Sequence, residues 1–166
     1  MKKVLICFAL LLVVEASAVF AQKRGTSKGR VCGDPTASCK AKENFEPADL
    51  PFDQGKNFVI AESEFFYGIV LKSVKVKDYG DCEKPSFAET ERADIQKLFE
   101  HNKVFMQNCI ESARPYYIGI ADHTAIIGIY AGHTLAEANK FLKAVLATGK
   151  YPGARVRKMR VALNGT

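Results

Sequence analysis

The feature that most constrains this sequence is an amphipathic helix pattern between two strand patterns near its C-terminus. Thr134 and Glu137 have the capping-box spacing that starts helices, and Gly149 provides a C-terminal stop. Apolar residues follow the cap at helical spacing, at Leu135, Ala138, Leu142 and Val145. The helix is preceded by the apolar run AIIGIYAG and followed by the basic run ARVRKMRVAL. Because such a helix must bury its apolar side on a sheet, this region predicts a β-α-β unit.

The residues before this unit show the same order of patterns. A strand-like stretch over 57–76 is followed by a helix pattern that opens at Ser86, with Glu89 at capping-box spacing, and by the short strand KVFMQNC. The two runs within 116–131 are counted as one strand, and the run at 58–61 is left out. The sequence then predicts an α+β, ferredoxin-like split β-α-β fold: a four-stranded antiparallel sheet with two helices on one face and the other face free.

The N-terminus has the pattern of a secretory signal peptide. Lys2 and Lys3 precede eleven apolar residues, and small residues that suit cleavage follow. We therefore predict a signal peptide at 1–21, an exported protein that is periplasmic or extracellular, and no transmembrane segment after cleavage. Residues 22–56 are basic, rich in Gly and Pro and poor in apolar residues, which predicts an extended leader before a compact domain at 57–166.

Four cysteines remain after the predicted cleavage: Cys32, Cys39, Cys82 and Cys109. An even count in an exported chain indicates two disulfides, with three possible connectivities. We favour Cys32–Cys39 and Cys82–Cys109, because each bond joins neighbours in the chain. The spacings lack the close Cys and His clusters of metal sites, so no metal and no cofactor are predicted.

The predicted mature chain carries a net positive charge. Without residues 1–21, 22 Lys and Arg stand against 17 Asp and Glu. This balance favours an anionic partner, such as a cell-wall polymer, a nucleic acid or an acidic lipid surface.

The C-terminal stretch IIGIYAGHTLAEANKFLKAVLATGKYPGARVRKM resembles the second half of a SPOR domain. It has a strand, a Gly-containing bend, a polar cap, an AEA helix start, a Leu-rich helix, and a Gly before the final strand. The resemblance covers about residues 125–160 at the level of motifs and residues 66–124 in the order of elements. It implies a SPOR-like fold, in which a β-α-β unit occurs twice, and binding of peptidoglycan glycan strands stripped of their peptides.

The candidate ligand contacts lie around the second helix pattern. Tyr130 precedes the helix on a strand, where its ring would stack on a sugar. Arg155 and Arg157 share one face of the final strand, and guanidinium forks hold carboxylates, phosphates or sugar hydroxyls. His133 comes directly before the helix cap, where anions are favoured. The alternatives are a core position for Tyr130, since alternation sends about half of the strand tyrosines inward, a basic edge strand that resists pairing for the arginines, and a surface turn for His133.

Three functions follow from these patterns. The first is an exported, non-enzymatic module that binds peptidoglycan glycan or another anionic cell-envelope polymer on the free sheet face. The second is a small basic secreted hydrolase, such as a ribonuclease, that would use two of His101, His123 and His133, although the sequence fixes no such pair and assigns no catalytic residue. The third is an accessory domain that uses its sheet for protein interaction.

Overall fold

The computed structural model describes residues 43–45, 49–50, 52–54, 60–77, 82–110 and 115–164. The predicted signal peptide, most of the predicted leader and the Cys32–Cys39 pair lie outside these residues. The described part contains seven strands and two helices: β1 (Phe52–Gln54), β2 (Ile60–Ser63), β3 (Phe66–Lys75), α1 (Glu89–Leu98), β4 (Val104–Gln107), β5 (Tyr116–Ile118), β6 (Thr124–Gly132), α2 (Leu135–Ala147) and β7 (Arg155–Asn164).

The strands form one antiparallel sheet that curls into a half-barrel. Its order is β1-β2-β7-β3-β6-β4, and β5 also pairs with β7. β3 pairs with both β6 and β7. The register sets Val70 opposite Arg155 and Lys75 opposite Thr124. The end of β3 therefore lies beside the start of β6, and the middle of β3 lies beside the start of β7.

The prediction of a four-stranded, ferredoxin-like α+β fold is wrong. The structure is mostly β, with a curled seven-stranded sheet and two helices in its described part. The runs within 116–131 are two strands, because β5 turns away from β6 and pairs with β7. Gly119 permits this turn with a φ of +104°, and a Cβ added there would lie 2.4 Å from the Lys158 carbonyl oxygen. β1 and β2 also belong to the sheet. β1 lies in the predicted leader, and β2 begins within the run at 58–61 that the prediction left out.

The curled sheet is covered on both sides. The helices α1 and α2 pack on one side, where Ile69, Ile129 and Val145 are buried. On the opposite side, which we call the aromatic face, five rings form a core: Phe45, Phe66, Phe105, Tyr117 and Tyr130. The ring centroids of Phe105 and Tyr117 are 4.5 Å apart in a stacked arrangement. The sheet face that was expected to be free is therefore covered.

Part of this cover comes from residues that precede the predicted domain. Phe45 is 1% exposed and Leu50 is 2% exposed, although both lie in the segment expected to bury little. Nearby, the Lys103 Nζ lies 3.6 Å from the Asp49 Oδ2, and both side chains are largely buried. A few apolar residues suffice here, because the curled sheet supplies a concave surface already lined with rings.

The sequence predicted the start of α2 correctly and the start of α1 incorrectly. In α2, the Thr134 side chain accepts a hydrogen bond from the Glu137 N–H, and the Glu137 carboxylate accepts one from the Thr134 N–H. α1 has Ala88 at its N-cap, without a side-chain hydrogen bond, so the predicted capping pair of Ser86 and Glu89 does not form. The first helix therefore starts two residues later than its pattern predicted.

The predicted disulfide between Cys82 and Cys109 is present, with the two Cα atoms 5.5 Å apart. It ties the segment before α1 to the residues after β4, and it is compatible with an exported protein. Neither described helix has the length and apolar composition needed to cross a membrane.

Candidate functional site

A basic cup opens at one end of the half-barrel, beside the aromatic face. Its volume is about 290 Å³. It lies where the end of β3 and the starts of β6 and β7 meet the turn after β5. The cup is defined by three cations, two hydroxyl residues and five apolar residues: Lys75, Arg155, Arg157, Ser73, Thr124, Val70, Val74, Ile120, Ala121 and Ile126.

The two arginines reach the cup through the alternation of side chains on β7. Val156 packs with the helix-side core, whereas Met159 belongs to the aromatic core. Arg155 and Arg157 lie on the same side as Met159, because residues two apart on a strand point the same way. The Arg155 Nη2 donates a hydrogen bond to the Ser73 Oγ at 3.0 Å. Both arginines are exposed, so their guanidinium groups are accessible to a ligand in the cup.

The third cation of the cup is held by the turn between β5 and β6. The Lys75 Nζ donates to the Asp122 carbonyl oxygen at 2.8 Å, and the Thr124 hydroxyl donates to the same oxygen at 3.1 Å. His123 in this turn has a φ of +52°, in the left-handed region that residues other than glycine rarely adopt. Because the carbonyl is a neutral acceptor, this contact leaves the positive charge of Lys75 uncompensated.

The charges of the cup differ from those elsewhere on the sheet. No carboxylate is among the described residues that line the cup. By contrast, Arg160 on β7 forms an ion pair with Glu62, and Lys72 on β3 forms one with Glu91. Three like charges around one opening attract an anion, because their potentials add within the cavity. The arrangement therefore suits the binding of an anionic group.

The structure places Tyr130 inside the aromatic core. Its side chain is 6% exposed, and its ring centroid is 5.6 Å from that of Phe66. Burial raises the pKa of the Tyr130 hydroxyl well above its ordinary value, with smaller contributions from Glu137 and Glu64. Tyr130 is not among the residues that line the cup, although only Gly68 separates it from Arg157 in the strand register. Its ring is therefore not available to stack on a ligand bound there.

His133 also lies at the far end of β6. Its Nδ1 is 3.4 Å from the Glu64 Oε1, and its ring centroid is 5.8 Å from that of Tyr130. Its backbone N–H donates to the Glu137 Oε2 at 3.0 Å. The N-terminal groups of α2 are thus engaged by the helix's own carboxylate, and His133 is not among the described residues that line the cup.

The three histidines do not form one catalytic cluster. His123 precedes β6 and His133 follows it, so strand geometry puts them about 30 Å apart. His101 lies in the turn between α1 and β4, and its side chain is exposed. Since β4 runs antiparallel to β6, His101 is at the His133 end of the sheet. A general acid and base must reach one scissile bond, which His123 and His133 cannot do together.

Sequence reasoning found two cations of the cup and missed the third. Lys75 stood in an alternating pattern at the end of a strand, and nothing local distinguished it from other solvent-facing lysines. Ser73 and Ile120 were also missed, because no local sequence pattern marks either of them as a site residue. The signal that identifies them is the strand order, because the antiparallel pairing of β3 with β7 sets Arg155 opposite Val70, from where its side chain reaches Ser73.

The described residues offer no evident metal centre. No group of three or more His, Cys, Asp and Glu within this part of the chain is placed to hold a metal ion.

Comparisons with protein families, with curated proteins and with solved structures found no match to this chain. The resemblance to SPOR domains stays a prediction. The function must therefore be argued from the chemistry of the cup itself.

Proposed function

We propose that this protein is an exported, non-enzymatic module that binds an anionic polymer of the cell envelope at the basic cup. The observation that carries the proposal is the convergence of Lys75, Arg155 and Arg157 on one cavity whose described lining includes no carboxylate. Peptidoglycan glycan is the first polymer to test, because the C-terminal sequence resembles SPOR domains.

The contact surface proposed here is the end of the half-barrel. The middle of the aromatic face is filled by Phe45 and Tyr117, so a polymer has no access to it. The guanidinium forks of Arg155 and Arg157 suit carboxylates, which they bind through paired hydrogen bonds. Tyr130 and His133 are not part of the proposed contact, because neither lines the cup and the Tyr130 ring is buried.

Two observations support export and a binding role. The disulfide between Cys82 and Cys109 is of a kind that persists in oxidising compartments, in keeping with the predicted signal peptide. Among the described residues that line the cup there is neither a histidine nor a carboxylate to serve as a general base.

The test is co-sedimentation of the purified protein with sacculi, before and after amidase treatment. Amide hydrolysis removes the peptides and leaves a carboxylate on the glycan, which adds the anionic group that the cup suits. We expect more protein in the pellet after treatment. Added salt should weaken this binding, because exposed charges are screened.

The matched variants are Arg157→Gln in the cup and Lys143→Gln on the exposed side of α2, each of which removes one positive charge. Arg157→Gln should weaken binding by about tenfold or more, since a hydrogen bond to a charged group contributes about 1.5–3 kcal/mol. Lys143→Gln should bind like the unaltered protein. Absence of the protein from both pellets, or equal binding by Arg157→Gln, contradicts the proposal.

A further inference from the structure

The basic cup has two chemically different walls. The cationic wall consists of Lys75, Arg155 and Arg157. We call the apolar residues that line the same cup its apolar wall: among them, Val74 is 43% exposed, and Ile120 is partly buried and packs against the aromatic core. An exposed branched apolar side chain beside three cations has no evident solubility role. It becomes useful if a ligand brings apolar atoms into the same cavity.

The apolar wall is fixed by the same strands and turn that fix the charges. Val70 and Ile126 lie beneath the cup and are 1% and 0% exposed, so the bottom of the cavity is packed. Ile120 follows Gly119, whose backbone lies against β7 at Lys158 and Met159. Ile120 and the bottom of the cup are thus tied to the folded core and are present before any ligand arrives, which limits the ordering cost of binding.

The size of the cup limits what enters it. A volume of about 290 Å³ is at the lower end of the range for small-molecule sites. Such a cavity holds one compact group and excludes several polymer units at once. Arg155 and Arg157 are two residues apart, so their Cα atoms are about 7 Å from each other along the strand. Both guanidinium groups are therefore within reach of a single anionic head.

We propose that the cup recognises an amphiphilic anionic group: a carboxylate or phosphate head at Arg155 and Arg157, and an apolar body of a few carbons against Val74 and Ile120. This inference rests on the proposed function and names the chemistry of the group that the cup holds. A bare inorganic anion satisfies only the cationic wall. A neutral sugar satisfies neither wall.

The test is a titration of the disulfide-bonded chain, followed by the backbone amide NMR shifts of residues that line the cup. The probes are acetate, hexanoate, hexyl phosphate, inorganic phosphate and glucose. Each methylene that becomes buried should raise the affinity by up to about fourfold. Because the short chain is only partly enclosed, we expect hexanoate to bind about tenfold or more tightly than acetate, and hexyl phosphate similarly above inorganic phosphate. Glucose should cause no shift.

Variants test the contributions of the two walls to binding separately. Val74→Ser should remove most of the ratio between the affinities for hexanoate and acetate, because it removes an apolar contact that hexanoate uses more than acetate does. It is preferred to a change at Ile120, because Val74 is exposed and its replacement leaves the core intact. Arg157→Gln should weaken both acids, and Lys143→Gln should weaken neither.

A comparison of hexanoate with hexyl phosphate shows which head group the cup prefers, and either preference supports the inference. Equal binding of acetate and hexanoate would overturn it, as would an undiminished chain-length effect in Val74→Ser. A flat chain-length series together with sedimentation on treated sacculi would remove this inference and leave the proposed function standing. A steep series without sedimentation would support the amphiphilic cup and remove the polymer.

Discussion

The two faces of the sheet are covered in different ways. On the helix side, α1 and α2 are local amphipathic segments that pack on the strands beside them in sequence. On the aromatic face, the cover comes from Phe45 and Leu50, far from the central strands in sequence, and from Tyr117 on the strand that reverses onto β7. The difference teaches that helix cover is visible in local periodicity, whereas the aromatic cover depends on contacts between distant parts of the chain.

This difference also determines where a ligand has access. Because the aromatic face is filled in its middle, a ligand has access at the basic cup beside it. At the His133 end of β6, charged groups have partners: His133 with Glu64, and Glu137 with the N-terminus of α2. The described lining of the cup has three cations and no carboxylate, so its positive charge is available to a ligand.

The largest expected effect on stability comes from removing one ring from the core of the aromatic face. Phe45→Ala should lower the free energy of unfolding by about 3–5 kcal/mol, because it leaves a cavity among four other rings. Urea denaturation followed by far-UV circular dichroism measures this loss. Phe65→Ala is the matched control, since Phe65 is 49% exposed and its loss should cost less than about 1 kcal/mol. Equal costs would show that Phe45 is not part of the cover.

The stability of the helix side is expected to depend on the disulfide between Cys82 and Cys109. Replacing Cys82 and Cys109 together by Ser should cost about 3.5 kcal/mol, from the chain entropy of a loop with a sequence separation of 27. Thermal and urea unfolding of the double variant, compared with the unaltered protein under non-reducing conditions, measure this loss. A loss below about 1 kcal/mol would mean that packing alone holds this side.

A smaller effect is expected at the start of α2. Thr134→Ala should cost about 1 kcal/mol, because it removes the side-chain half of the capping box. Thr90→Ala, at an exposed position in α1, is the control and should change stability by less than about 0.5 kcal/mol.

The cap also predicts a pH dependence. Hydrogen bonding, first from the Thr134 backbone N–H, lowers the pKa of Glu137 below its ordinary value. The carboxylate therefore stabilises the fold fully above the ordinary glutamate pKa of about 4.3, and this contribution is lost as the pH falls through the lower folded-state value. Urea midpoints measured between pH 6 and 3 should fall less steeply in Glu137→Gln than in the unaltered protein. Parallel profiles would contradict the assignment.

The smallest effect on stability is expected at the cup itself. Arg157→Gln should change the free energy of unfolding by less than about 0.5 kcal/mol, because the Arg157 side chain is exposed. Loss of binding without loss of stability would separate the open end of the sheet from its covered middle. A large destabilisation would show that Arg157 belongs to the fold.

The sequence allowed the helix side of this fold to be predicted, and it misled on the aromatic face. The cap and stripe of α2 were readable because Thr134, Glu137 and the apolar residues lie within a few turns of one another. Phe45 carried no such signal. Its ring partners lie more than twenty residues away in sequence, and its own segment is otherwise rich in Gly and Pro. The need for a glycine at Gly119 was also not evident from the sequence, because only the close contact with Lys158 in the folded structure shows it.

The same limit applied to the site. Arg155 and Arg157 were identifiable because alternation on one strand puts them on one face. Tyr130 followed the same rule but points into a core that the sequence did not predict. Lys75 and Ile120 became part of the site through strand order alone, which no local pattern contains.

The most direct test of the central claim compares two pairs of charges for binding to amidase-treated sacculi. The double variant Arg155→Gln with Arg157→Gln changes the cup, and the double variant Lys140→Gln with Lys143→Gln changes the exposed side of α2. Both remove two positive charges. A site at the cup predicts a loss of about a hundredfold in affinity for the first variant and less than about threefold for the second. Equal losses would mean that net charge alone attracts the polymer, and would contradict a binding site at the cup.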